Sequence, residues 1–201
     1  LTIVVSFVLA TFLFSSAQAR PLDPVAGLET LRRSFAGLND FTAEITQEKQ
    51  LAMLKRKLVS TGTVRFRKPD QFFMELNPPH ASRLLLKDST LSLYLVQAKS
   101  SQQIVLPPGQ GLQHWLGYLA RPVTALPEGV EVKAEQQADR YTLQLAPRGK
   151  GQVKGLAITL QEDGRLKRLV IDEQNGDRTT ITFHRFQRNV GLTDKDFRVE
   201  P

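Results

Sequence analysis

At 201 residues, 41% hydrophobic and 23% charged, the chain has the size and composition of one globular domain with a real core. It contains no cysteine, which excludes disulfides, thiol catalysis, cysteine-ligated metals and a lipid anchor on a mature N-terminal cysteine. Its net charge of +7 would suggest nucleic acid for a cytosolic protein; the N-terminal segment argues for export instead, so no nucleic acid is expected, and anionic membrane surfaces or acidic proteins are the counterparts to expect.

Residues 1–19 carry no charge, are apolar from Ile3 to Phe14, and end in Ser15-Ser16-Ala17-Gln18-Ala19, where Ala17 and Ala19 form an A-x-A cleavage signature. A spanning helix needs roughly 20 apolar residues, and the polar Ser, Gln and Arg20 cut this stretch short. The expected organisation is a cleaved signal peptide over 1–19 and a single exported, soluble domain over 20–201.

From Asp23 to Leu38 the residues Leu28, Leu31, Phe35 and Leu38 recur at helical spacing beside Arg32 and Arg33, predicting an amphipathic helix. After it "FTAEITQEKQL" sets Phe41, Ala43 and Ile45 against Thr42, Glu44 and Thr46, the alternation of a strand. The stretch "GTVRFRKPDQFF", Gly62 to Phe73, reads as a strand that breaks at Pro69 and starts again. Val64, Phe66 and Lys68 fall on one face, whereas Arg65 and Arg67 fall on the other as outward charges of a basic exterior.

Phe72, Met74 and Leu76 then alternate with Phe73, Glu75 and Asn77 up to Pro78-Pro79. "SRLLLKD" and "LSLYLV" follow, joined by a turn at Asp88-Ser89, and "QQIVL" runs into Pro107-Pro108. Such close spacing implies antiparallel hairpins. Between Gly109 and Ala120 the residues Leu112, Trp115, Leu116 and Leu119 predict a short second helix, stopped by Pro122, that must lie over an end or an open face of the sheet.

The last third predicts a meander of "KGLAITLQ", "RLKRLVIDEQ" and "RTTITFHRF", joined at Asp163-Gly164 and Asn175-Gly176, with "RYTLQLAP" pairing beside it. The total of about eleven strands is too many for a flat sheet, which should curl into a barrel or half-barrel.

Catalytic chemistry is not visible in this pattern. His80, His114 and His184 are scattered without ligand spacing, no G-x-S-x-G is present, and "GKGQVKG" lacks the ending and the following helix of a phosphate loop. Asp194 with Asp196, and Glu162 with Asp163, read as solvated turn residues. No metal, cofactor or enzymatic activity is therefore expected. What remains is apolar inner faces and two amphipathic helices, which fit either a packed barrel core capped by helices or a cavity with the helices as its lid.

The order of segments carries a resemblance. The helix followed by "FTAEITQE", the strand "GTVRFRKPDQFFMEL" ending at Pro78-Pro79, the pair "LLLKDSTLSLYLVQAKSSQQI" and the close "LAITLQEDGRLKRLVIDEQNGDRTTITFHRFQRNVGLTDKDFRVEP" resemble the LolA-type periplasmic outer-membrane lipoprotein carriers. The resemblance implies a mainly β fold, an unclosed antiparallel half-barrel with a helical lid over an apolar cavity. It implies a periplasmic monomer that takes lipoprotein acyl chains, or another lipid, from an inner-membrane ABC transporter and hands them to an outer-membrane receptor.

In that family an arginine before a proline holds the lid by hydrogen bonds to backbone carbonyls of the lid helices, and a cavity aromatic follows four residues later; these positions fall on Lys68 and Phe72. A lysine is a flexible point charge where arginine offers a planar fork. The expected cavity lining is Val64, Phe66, Phe72, Met74, Leu93, Ile158, Ile171, Ile181 and Phe183, the expected lid contacts are Leu31, Phe35, Trp115 and Leu119, and Lys68 is the expected latch. The alternative is a periplasmic lipid-sensing or interaction protein on the same fold without transfer activity.

Overall fold

Asp23 starts the first helix: its carboxylate accepts the Ala26 N–H at 2.9 Å, and Pro24 takes the first helical position, where a missing N–H costs nothing. In the computed structural model, which describes residues 19–106, 116–117, 119–149 and 151–199, this helix, α1, spans Pro24–Phe35. It ends earlier than its apolar spacing predicts, because Ala36 is extended and Gly37 is left-handed with φ of 66°. Leu38 is buried all the same, in the sheet core.

The described strands are β1 (Arg20–Leu22), β2 (Asp40–Leu51), β3 (Arg56–Arg67), β4 (Gln71–Leu76), β5 (Ser82–Lys87), β6 (Thr90–Leu95), β7 (Ser100–Val105), β8 (Val130–Gln137), β9 (Arg140–Pro147), β10 (Val153–Gln161), β11 (Leu166–Glu173) and β12 (Arg178–Arg188). They form one 12-stranded antiparallel sheet in the order β1-β8-β9-β10-β11-β12-β2-β3-β4-β5-β6-β7. Because β1 and β7 do not pair with each other, the sheet is an unclosed half-barrel. The meander, its two hairpin turns and the place of β9 beside β10 follow the sequence pattern. Two strands had no clear pattern: β1 is only three residues long, and β8 alternates on Val130, Val132 and Ala134 alone.

Directly opposed residues share a face, so the pairing register traces apolar rows across the sheet. Phe41, Phe66, Phe72, Leu86 and Leu91 form one row, and Ala43, Val64, Met74, Leu84 and Leu93 the next. One core cluster gathers around Val64 and Phe66 on β2, β3, β4 and β12; a second joins Leu28 and Leu31 of α1 to Val132, Ala134, Leu143, Leu145 and Leu160. Phe35 packs against both. The sheet comes together closely at Gly62, where any Cβ would lie 2.0 Å from the Glu75 carbonyl oxygen.

The opposite face of β3 and β4 corrects one sequence expectation. Arg65 and Arg67 are half-buried: Arg65 donates to the Asp196 carbonyl at 3.1 Å, and Arg67 pairs with the Asp194 carboxylate and donates to the Leu192 carbonyl at 3.3 Å. Each guanidinium also lies 5.4 Å from a ring centroid, Arg65 over Phe73 and Arg67 over Phe197. They fasten the C-terminal segment with its 3₁₀ turn Asp194–Phe197 onto the sheet, and Phe73 is buried beneath it. Asp194 and Asp196 sit in a surface turn, as their sequence context predicts, and each carboxylate has a hydrogen-bond partner. The hydrogen bond from Arg67 holds the Asp194 carboxyl below the usual carboxylate range, and that from the Thr193 N–H does the same for Asp196. Asp163 is likewise an exposed turn residue, and the hydrogen bond from Arg165 lowers its pKa.

Helix α1 packs on β8 and β9 through Gly27, where a Cβ would meet the Ala134 Cβ at 2.4 Å and Leu143 Cδ2 at 3.2 Å. Gly27→Ala gains about 1 kcal/mol of helix propensity but overfills this contact. A net destabilisation of about 1–2 kcal/mol is expected in urea unfolding.

Candidate functional site

The last carbonyls of a helix have no partner within it and attract donors and positive charge. At the end of α1 the Lys68 ammonium donates to the Phe35 carbonyl at 3.0 Å, and Nη2 of Arg188 donates to the carbonyls of Ser34 at 2.9 Å and Ala36 at 3.2 Å. Two cations from distant parts of the chain thus hold three consecutive carbonyls. Partial burial, and next the charge of Arg188, hold the Lys68 ammonium below the ordinary lysine pKa.

Both cations are positioned by one network. Lys68 follows β3, and its N–H donates to the Asn39 carbonyl at 2.8 Å. The buried Asp40 carboxylate accepts the N–H groups of Val190 at 2.7 Å and Gly191 at 3.2 Å. The Asn189 side chain accepts the Asn39 N–H at 2.8 Å and donates to the Gly37 carbonyl at 2.9 Å.

Arg188 is the functional candidate that sequence reasoning missed. Strict alternation from Ile181 and Phe183 would turn it to the outer face, but the β12 register shifts between His184 and Gln187, with Arg185 at φ of 46°, and sets Arg188 opposite Phe41. The available signal was Phe186, which is out of phase with Phe183 yet stacks on Phe41 at 4.7 Å between centroids.

Next to the clamp lies a cleft of about 630 Å³ walled by Phe35, Leu116 and Leu119, with Arg32 and Lys68 among its polar lining. That volume is in the range of small-ligand pockets. Phe35 meets Phe66 edge-on at 6.5 Å, and Phe66 stacks on Phe41 at 5.3 Å, so aromatic contacts run from the helix end into the sheet core. A depression of about 590 Å³ over β8 to β12 mixes charged residues, among them Glu131, Lys133, Arg168 and Asp172, with Leu145, Leu156 and Val170, and has no aromatic wall.

Of the residues expected to line a cavity, Val64, Phe66, Met74, Ile181 and Phe183 are buried together, with Phe72 packed against them. Ile158 packs in the second cluster, with Leu31 and Leu119; Leu93 and Ile171 are half-buried on the same face and belong to neither cluster. Trp115, and most of the predicted second helix, lie outside the described residues.

Glu29 braces the middle of α1. It accepts from Arg32 at 2.7 Å, from Arg33 at 3.2 Å and from the Val123 N–H at 3.0 Å. The Arg32 hydrogen bond, followed by that from Val123, lowers its pKa from 4.5 to about 2.

With this geometry in place, the sequence can be compared with known families. Residues 36–200 match the model of the outer membrane lipoprotein carrier protein LolA. The chain belongs to the LolA family. Among solved structures, an uncharacterized conserved protein from Thermus thermophilus shares the fold of this LolA-family chain. Its TM-score is 0.51 at 12% identity, over 88% of this chain and 93% of that one. A LolA superfamily protein from Nitrosomonas europaea gives a TM-score of 0.46 at 13% identity, covering 88% of this chain and 98% of that one. For MucB in the MucA/MucB complex of Pseudomonas aeruginosa the values are 0.46 and 13%, covering 88% of this chain and 61% of that one. Comparison with curated proteins by sequence finds no match. No described helix is long and apolar enough to cross a membrane, and among the described residues no group of three or more His, Asp or Glu could hold a metal ion.

Two measurements test the helix anchors. Arg188→Leu should speed amide exchange in the last turn of α1 by about tenfold, the equivalent of about 1.4 kcal/mol, and Lys68→Leu by less because its ammonium is more exposed. Glu29 has a folded pKa below its unfolded one, so its contribution is complete above pH 4.5 and lost as pH falls towards about 2. Glu29→Gln should therefore flatten the stability profile in that window, as read by thermal unfolding.

Proposed function

We propose that this protein is a periplasmic carrier that binds the acyl chains of lipoproteins, or of another lipid, beneath α1. It acts as a monomer, receives cargo from an inner-membrane ABC transporter and releases it to an outer-membrane receptor. Residues 1–19 serve as its export signal. The observation that supports this reading most directly is the clamp of Lys68 and Arg188 on the end of a helix that covers an apolar half-barrel.

Burying an acyl chain gains about 0.8 kcal/mol per methylene, or about 12 kcal/mol gross for roughly fifteen methylenes. Cargo held so tightly does not escape through water, so transfer has to proceed by direct hand-over. The lid must accordingly be only marginally closed. Hydrogen bonds from charged donors are worth about 1.5–3 kcal/mol each and less where exposed, so three of them stay below the gross gain of burying an acyl chain. In this mechanism Lys68 and Arg188 are the latch, and opening α1 exposes Phe35, Phe66 and Phe72 to the chain. Phe72, Met74, Leu93, Ile158, Ile171, Ile181, Phe183 and Val64 supply the remaining walls, and Leu31 and Leu119 the underside of the lid.

Solvent extraction of protein purified from membranes should yield lipid or lipoprotein, and a photo-crosslinking residue in place of Phe72 should capture it. Repeated preparations without either would overturn the carrier reading. Loaded protein should release cargo to acceptor membranes, whereas retained cargo would favour a lipid sensor. Lys68→Arg should preserve closure, and Lys68→Leu combined with Arg188→Leu should change uptake and release by about tenfold or more with little loss of folding stability; unaltered transfer in the double variant would remove the latch.

A further inference from the structure

The β2–β3 ribbon outruns β4 on one side and runs level with β12 on the other. These strands stay paired to Leu51 opposite Arg56, while β4 ends at Leu76 opposite Gly62 and β12 begins at Arg178 opposite Gln50. On the β4 side the ribbon therefore extends about 20 Å beyond the sheet, at about 3.3 Å per residue. Its tip carries Met53, 92% exposed, and Leu54, 67% exposed, followed directly by Lys55, Arg56 and Lys57.

This tip is braced at its base. The Ala52 N–H donates to the Asp177 carboxylate at 2.9 Å, the β11–β12 turn comes up against Ala52 at Gly176, and Lys55 closes the turn with φ of 46°. The charges around it are sorted. Lys57 pairs with Glu48 at 2.6 Å and Lys49 with Glu173 at 3.7 Å, while Lys55 and Arg56 have no carboxylate partner among the described residues. Arg178 at the neighbouring strand end is held by Asp172.

A single exposed apolar residue is ordinary, but two adjacent ones at the turn of a hairpin braced by the β11–β12 turn, with two cations beside them that have no carboxylate partner among the described residues, form an amphipathic tip. We infer that the β2–β3 tip docks the protein on an anionic phospholipid bilayer. Met53 and Leu54 enter the headgroup and acyl boundary while Lys55 and Arg56 meet the lipid phosphates. The chain's net charge of +7 favours approach to such a surface. Each cation near it raises partitioning by about fivefold, so docking through so small a tip is reversible and salt-sensitive. The tip is remote in the fold from the α1 clamp, and the inference holds whether or not acyl chains are the cargo.

Flotation with vesicles of phosphatidylcholine and phosphatidylglycerol, set against pure phosphatidylcholine, tests it. The protein should float with the anionic vesicles and be released by high salt. Lys55→Gln with Arg56→Gln should weaken binding by about 25-fold, and Met53→Asp with Leu54→Asp by at least tenfold, with thermal unfolding unchanged. Because the chain lacks cysteine, Met53→Cys can carry one environment-sensitive fluorophore, whose emission should shift to the blue on anionic vesicles. Unchanged flotation of the Met53→Asp, Leu54→Asp protein, or a fluorophore that stays in water, would overturn the inference: the basic surface would then be adsorbing generally, or the tip would be meeting a protein instead of a bilayer.

Discussion

An antiparallel sheet that curls without closing has one face it cannot bury by itself, and everything else in this molecule answers that constraint. The inner rows around Phe41, Phe66 and Phe72 and around Val64, Met74 and Leu84 need cover. Helix α1 supplies part of it. Its contact is as close as backbone and Cβ allow because position 27 is glycine, and it commits Leu28 and Leu31 to the core over β8 and β9. The outer face of β3 and β4 is covered differently, by the C-terminal segment that Arg65 and Arg67 hold over Phe73.

Cover of this kind is either permanent or movable, and the two ends of α1 differ in the chemistry that decides which. The start is capped by its own Asp23, a local interaction that travels with the helix. The end is held by Lys68 and Arg188 from β3 and β12, which must be broken if the helix lifts. Only the second kind of bond can act as a latch, because only it joins the helix to something else. The buried Asp40 and the Asn189 amide set that joint, so its geometry belongs to the sheet and not to the cations alone.

Strands with strong alternation were legible, and so was the meander, whose turns are written as Asp163-Gly164 and Asn175-Gly176. The early part of β3, from Arg56 to Thr61, was not, because β4 does not flank it, its inward positions are Leu58 and the polar Ser60, and the apolar Val59 lies exposed on the other face. β8 was obscured for a related reason: its inner residues are small, to admit α1, and its outer ones are charged. Lys68 stood out as a cation in an apolar row. Arg188 did not, since a bulge between His184 and Gln187 reverses the faces that period two would assign, and only the odd phase of Phe186 betrays it.

By itself the sequence determined what local physics can encode: the antiparallel hairpins, the amphipathic helix, the absence of thiol chemistry, and an apolar face long enough to need a cover. The tertiary structure alone decided which groups converge. Lys68 and Arg188 are far apart in the chain and meet at one helix end because β2 pairs with both β3 and β12, a non-local choice that no short-range pattern specifies. Register and bulge then turned an arginine that alternation would have left on the outer face towards the carbonyls of α1, where its Nη2 meets two of them.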